Sequence, residues 1–185
     1  MPAIPMEEQS TSVTEGAAPA SSVPRRLGWF LLLAFACIGC DQATKRIASE
    51  ALPRNEVLSY AGDTFRLQYA ENTGAFLGFG SSLDPTLRWW LFVGATTAIL
   101  VGAVVFLLRS DLPRSTFVAW TMVVGGGVGN LLDRASQGFV VDFLNLGVGS
   151  LRTGIFNVAD VAILAGVIFL VLFGSRKPQE GAEPV

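Results

Sequence analysis

The chain has 185 residues, of which 51% are hydrophobic and 15% charged, and its net charge is -2. A soluble domain carries about a quarter charged residues. Here the apolar residues also stand in blocks, which implies an integral membrane protein, and the near-neutral charge gives no support for a nucleic-acid partner. Histidine is absent from the sequence, which removes the Ser-His and Cys-His nucleophile arrangements and the usual His-ligated zinc sites.

Residues 1–24 are rich in Ser, Thr, Pro, Ala and Glu without an apolar period and read as a disordered tail. Arg25 and Arg26 precede LGWFLLLAFACIG, a run with a poor lipobox-like ending at Cys40. As a cleaved signal peptide it would have an unusually long n-region, and three more apolar spans follow. An uncleaved first transmembrane helix over about residues 25–47 is predicted. Cys37 and Cys40 lie inside it with no second pair, so they read as small buried hydrophobes. The helix ends in DQATKR, where Asp41 and Lys45 are four apart, share a face and can pair. An exposed helix-end ion pair would contribute little; closeness to the apolar block tilts the pair towards a positioning role.

Glu56 to Tyr60 and Thr64 to Ala70 flank Ala61-Gly62-Asp63, a hairpin-turn sequence. Phe65, Leu67 and Tyr69 alternate with Arg66 and Gln68, the pattern of a half-buried strand. A small β element outside the bilayer is therefore predicted over about 56–80. It leads into ENTGAFLGFG, where Asn72 and Gly74 suggest a turn, and Phe76, Leu77 and Phe79 either pack or wall a lipid-facing cleft.

Leu87 to Leu108 has no internal charge and, at roughly 20 residues, matches a hydrocarbon core of ~30 Å. Trp89 and Trp90 stand at its start, where an aromatic belt would lie. Ser115 to Leu132 forms a third span and Ile155 to Phe173 a fourth; residues 175–185 are a C-terminal tail. Four spans put both termini on one side, and Arg25, Arg26, Arg109, Arg114, Arg176 and Lys177 mark that side as cytoplasmic. Asp41, Asn72, Asn130, Asp133, Arg134, Asp142, Asn157 and Asp160 all fall at the opposite end, where they can converge.

Ionisable groups at such a place are costly to desolvate and mark a functional site. On the third span Gly126, Asn130 and Arg134 recur every four residues and make one stripe, with Asp133 beside it. Gly125 and Gly129 form a GxxxG that reads as close helix packing. Arg134 could snorkel to lipid phosphate or hold a substrate carbonyl. Asn157 and Asp160 open the fourth span, where capping competes with catalysis for both. Asp142, within VVDFL, has no capping role and needs a partner or a proton. Two carboxylates at a membrane cleft, with no histidine, point to an aspartic dyad sharing one proton. Asp133 stands undecided between site and helix end.

DQATK, NTGAF, GGGVGNLLDR, VVDF and FNVAD, in that order over residues 25–174, closely resemble the lipoprotein signal peptidases (signal peptidase II). The resemblance implies a membrane all-α bundle of four transmembrane helices with a small extracytoplasmic β-cradle, forming one unit over 25–174. It implies an aspartic endopeptidase of the bacterial inner membrane that cleaves prolipoproteins just before a diacylglyceryl-modified Cys. It further implies that Asp142 and Asp160 are the catalytic pair and that Asp41, Lys45, Asn72, Gly126, Asn130, Arg134 and Asn157 position the substrate or the site. No metal or cofactor is implied. The implied partners are prolipoproteins, membrane lipids and globomycin-type inhibitors, the enzyme being a monomer. The sequence departs from the commoner family pattern in NTGAF, which lacks a second Ala before the Phe.

Two other classes compete. A transporter or proton relay also uses intramembrane carboxylates, but here the acids gather at one end of the spans. A metal-dependent lipid headgroup transferase would need Asp133, Asp142 and Asp160, with further carboxylates, gathered around a Mg²⁺.

Overall fold

A computed structural model describes residues 23–74, 80 and 82–174. Residues 1–22, the segment holding Phe76, Leu77 and Phe79, and the tail 175–185 lie outside the described residues. In chain order the elements are helix α1 (Val23–Ala51), strands β1 (Leu58–Tyr60) and β2 (Phe65–Asn72), helix α2 (Pro85–Trp89), a π-helical turn (Trp90–Ala95) and helix α3 (Thr96–Arg109). Helix α4 (Arg114–Gln137), strands β3 (Val140–Val148) and β4 (Leu151–Arg152) and helix α5 (Val158–Phe173) follow.

Three helical stretches among the described residues are long and apolar enough to cross a membrane: Pro24–Ala51, Pro85–Arg109 and Arg114–Gln137. The predicted fourth span differs. Helix α5 begins at Val158 rather than at Ile155 and has 16 residues, shorter than the other three. Its start is fixed by Asn157, whose side chain accepts the Asp160 N–H while the Asp160 carboxylate accepts the Asn157 N–H, a capping box that frees Ile155 and Phe156 to stay extended. Three other ends move outward. Helix α1 starts at Val23, inside the predicted tail, and continues to Ala51, and α4 runs to Gln137 before Gly138 stops it at φ 82. Chain length in these helices exceeds the apolar run because polar residues of the last turns still find partners within the protein.

Large side chains on the outer faces, such as Phe35 (69% exposed), Ile99 (70%) and Val171 (73%), are mostly uncovered by the described residues. Exposure of that degree, repeated along three helices, fits lipid as the surrounding medium. The interior core is small and joins α1, α3 and α4 through Phe30, Ala34, Leu100, Leu107, Phe117 and Val124. Glycines bring the helices together. A Cβ on Gly125 would lie 2.9 Å from Cys37 Cβ of α1, and one on Gly166 of α5 would lie 2.6 Å from the Ala119 carbonyl of α4. At the end where the chain enters, the buried Arg26 donates to the Ser110 carbonyl (2.6 Å) and pairs with Asp111, locking the start of α1 to the α3–α4 loop.

The β element is larger than predicted. Four antiparallel strands lie in the order β1-β2-β3-β4, so the hairpin around Ala61-Gly62-Asp63 is extended by a strand arriving from 70 residues later. Asp63 holds the hairpin corner: it accepts from Ser59 and Arg66 at 2.6 Å, and its carbonyl accepts from Arg152 of β4 at 2.7 Å. The Arg66 hydrogen bond holds the Asp63 carboxyl well below the usual carboxylate range. β2 pairs with β3 through an irregularity between Leu67 and Ala70, after which Ala70 faces Asp142 and Asn72 faces Val140. A bulge at that point re-aims the strand end and brings Asn72 over the ends of the helices.

Candidate active site

The polar end of the bundle holds two carboxylate groupings with different surroundings. In the first, Asp41 and Asp133 flank Lys45, whose Nζ lies 2.8 Å from Asp41 Oδ2 and 2.9 Å from Asp133 Oδ2. All three are buried, Asp41 completely. The pair Asp41–Lys45 is therefore not the exposed helix-end bridge that its spacing also allowed; α1 continues past it and α4 and α5 cover it. Asp41 Oδ1 accepts the Ala159 N–H at 2.9 Å, stapling α1 to the first turn of α5. Asp133 Oδ2 accepts the Val141 N–H at 3.3 Å, next to Asp142 in β3. Gln42, which sequence reasoning passed over, completes the grouping by donating to Asp133 Oδ1 (2.9 Å) and to the Gly129 carbonyl (3.2 Å). Gly129 fits because a Cβ there would come within 2.6 Å of Asp41 Oδ2.

The second grouping lines a cavity of about 220 Å³ with Asn72, Phe92, Asn130, Arg134, Asp142 and Asp160 on its walls. Asp142 Oδ1 accepts from Asn157 (2.7 Å) and Oδ2 from Asn72 (2.9 Å). Asp160 Oδ1 accepts from Asn130 (2.8 Å) and Oδ2 from the Asn157 N–H (3.1 Å). Every carboxylate oxygen thus has one amide donor, and among the described residues neither aspartate forms a salt bridge. Burial pushes the Asp142 carboxyl up to about 6, aided by the Asp160 charge and opposed by the Asn72 and Asn157 hydrogen bonds. A carboxyl so placed carries or releases a proton near neutral pH.

Asn130 connects the two groupings. Its Oδ1 accepts from Lys45 Nζ (2.9 Å) and from Asn157 Nδ2 (3.1 Å), which fixes the amide orientation and leaves Nδ2 to donate to Asp160. Arg134, one turn further along α4, reaches over the cavity and donates to the Gly74 carbonyl at 2.6 Å, while its buried Nε has no hydrogen-bond partner among the described residues. Gly74 is held in turn by Asn72, whose Oδ1 accepts its N–H at 3.1 Å.

Asp41, Lys45, Asn72, Asn130, Arg134, Asp142, Asn157 and Asp160, drawn from α1, β2, α4, β3 and α5, therefore meet at one end of the bundle. Gly126 differs from the others. A Cβ there would lie 2.5 Å from the Ala159 carbonyl, so it lets α4 touch α5 beside Asp160, and its neighbour Gly127 lines the cavity instead. Asp133 faces Lys45, Gln42 and Val141, so Asp133, Asp142 and Asp160 do not gather as one ligand set; among the described residues no group of three or more metal-ligating side chains is found. Phe92, Thr96 and Ile163 of the cavity wall were hidden to sequence reasoning because they sit among apolar neighbours in the spans.

The family described as signal peptidase (SPase) II matches residues 33–175. A lipoprotein signal peptidase of Sphingopyxis alaskensis is 36% identical over 83% of this chain and 91% of its own. One from Brevibacillus brevis is 37% identical over 78% and 93%. A solved structure described as a bacterial membrane enzyme superposes with a TM-score of 0.70 at 25% identity, covering 83% of this chain and 94% of that one. A second, also described as a bacterial membrane enzyme, gives 0.69 at 26% identity over 82% and 96%.

Proposed function

The chain belongs to the signal peptidase II family and is a multi-pass membrane protein of a peptidase class, and on that footing we propose that it removes signal peptides from prolipoproteins by aspartic catalysis, with Asp142 and Asp160 as the reacting pair. The observation that carries this reading is that both aspartates line one cavity, each oxygen held by an amide and neither, among the described residues, in a salt bridge. The Asp160 charge raises the Asp142 carboxyl, so the pair favours a single shared proton. The ionised carboxylate removes a proton from water as the water oxygen attacks the scissile carbonyl carbon. The protonated one donates to the carbonyl oxygen. On collapse the C–N bond breaks as the amine nitrogen takes the proton that the first carboxylate removed from water, and a hydroxyl of the diol returns its proton to the second, leaving a carboxylic acid, a free amine and the pair with its single proton. No covalent intermediate forms.

The surrounding groups act by position. Asn72 and Asn157 hold Asp142, and Asn130 and the Asn157 backbone hold Asp160. Asp41 and Lys45 fix the α1–α4–α5 junction behind them, and Gly126 allows its closeness. Arg134 Nε, without a hydrogen-bond partner among the described residues, suits a substrate carbonyl. The cleaved bond is the one before a diacylglyceryl-modified Cys, with the lipid chains in the bilayer against the apolar helix faces. The functional unit spans 25–174 as a monomer in the bacterial inner membrane, with the 16-residue α5 as a fourth span in a locally thinned bilayer. The site faces the extracytoplasmic side and both termini the cytoplasm, in keeping with Arg25, Arg26, Arg109 and Arg114 at the far end.

The test is cleavage of a diacylglyceryl prolipoprotein by the purified protein in lipid or detergent. Cleavage before the lipidated Cys, inhibited by globomycin and indifferent to a chelator, is expected. Absence of cleavage by folded protein, or its loss on chelation, would overturn the reading.

A further inference from the structure

The π-helical turn at Trp90–Ala95 interrupts an otherwise regular span where that span passes the candidate site. Such single wide turns cost hydrogen-bond geometry and tend to stand at functional places. Phe92 is the residue this turn presents. Its ring lines the cavity that holds Asp142 and Asp160, and it also lines a second cavity of about 220 Å³ bounded by Thr73, Arg88, Trp89 and Gly138. Arg134 lines both cavities too, and its guanidinium stands 5.7 Å from the Phe92 ring centroid. From the other side Gly80 presses on the ring: a Cβ there would lie 2.8 Å from Phe92 Cζ. Phe92 is thus a partition held on both sides, between the carboxylates and a space beside Trp89.

We infer that Phe92 is a specificity-determining residue: as the wall of the carboxylate cavity it limits the size of the substrate side chain next to the cleaved bond. This rests on the peptidase reading above. Val140, Ile155 and Ile163 are bulky walls of the same cavity, while Gly127 and Thr96 leave room beside the carboxylates. Phe92 and Arg134 are the two side chains common to both cavities, so truncating the ring opens the carboxylate cavity towards the second one and enlarges the room for a side chain there.

The probe is a pair of diacylglyceryl prolipoprotein peptides that differ only in carrying Ala or Leu immediately before the lipidated Cys. The wild type cleaves the Ala peptide with the higher kcat/KM. In Phe92→Ala the Ala-to-Leu ratio of kcat/KM falls by about tenfold or more, the scale on which a pocket senses a few methylenes. Activities are normalised to the folded fraction, and should Phe92→Ala fail to fold, Phe92→Leu decides with a fall of about threefold. A wild type that cleaves both peptides equally, or a variant that loses both activities in proportion, overturns the inference while leaving the peptidase reading intact. A folded wild type that cleaves neither peptide brings down that reading and this inference with it.

Discussion

Two carboxylate groupings sit side by side at one end of the bundle, built from the same residue types, and they differ in one respect. Asp41 and Asp133 share a buried ammonium, Lys45, within 2.9 Å. Asp142 and Asp160 have amide donors only and face a cavity. An ion pair taken out of water is held only while both signs remain, so the first grouping is a fastener. A carboxyl held by amide donors and raised to about 6 can change its protonation state near neutral pH, which is why we assign the reaction to the second. Sequence position does not separate them: Asp133 is three residues from Asn130 on α4, yet belongs with Lys45.

Breaking the reactive grouping should produce the largest effect. Asp142→Asn or Asp160→Asn lowers kcat by about 10²–10⁴-fold or more, the range of a lost general acid or base, in a prolipoprotein cleavage assay. Wild-type turnover by either variant would remove that residue from the chemistry. Breaking the fastener acts on folding instead. Lys45→Met leaves Asp41 and Asp133 buried without a cation, and the loss of one partner of a buried pair costs about 3–5 kcal/mol, read as a lower thermal midpoint and lower folded yield in detergent. An unchanged midpoint would show that the two carboxylates are neutral or solvated.

A smaller effect is expected at the junction between the groupings. Gly126→Ala puts a methyl group against the Ala159 carbonyl, and such overpacking costs about 1–3 kcal/mol. The shift of α5 moves Asp160, so turnover per folded molecule falls as well; a fall in stability alone would mean that α5 relaxes without disturbing the site. The smallest effect is a change of pH profile. Because the Asp142 carboxyl is raised to about 6, the pair loses its last proton as pH rises through that value. kcat/KM for the free enzyme then declines on an alkaline limb there, the limb belonging to the pair. Asn72 favours the ionised form, so Asn72→Ala moves the limb to higher pH; a limb moving down, or not at all, would contradict the assignment of its titrating group.

Much of this was legible in the sequence for a physical reason. Apolar blocks long enough to cross lipid leave a plain record, and polar residues at their ends have few reasons to be there other than function. Asp142 and Asp160 stood out on that ground. Strand β3 did not, because Val140, Val141, Asp142 and Phe143 are all buried. A strand covered on both faces shows no alternation, and its partner β2 lies far away in sequence. Gln42 was passed over beside Asp41, although a polar amide at the end of an apolar run needs a buried partner as much as its neighbour does. Phe92 left no mark at all: an aromatic residue in an apolar block looks like any other until the π-helical turn and the cavity are known. The length of α5 was overestimated because Ile155 and Phe156 continue the apolar pattern while Asn157 caps the helix behind them.

The most direct measurement sets the two groupings against each other in one assay: turnover per folded molecule for Asp142→Asn and Asp41→Asn, in lipid, with a diacylglyceryl prolipoprotein and with folded protein counted independently. Asp142→Asn should be folded in near wild-type amount and inactive, and Asp41→Asn should be poorly folded yet active in the fraction that folds. Equal turnover per folded molecule in the two variants, or an inactive Asp41→Asn beside an active Asp142→Asn, would contradict the division into a fastening pair and a reacting pair.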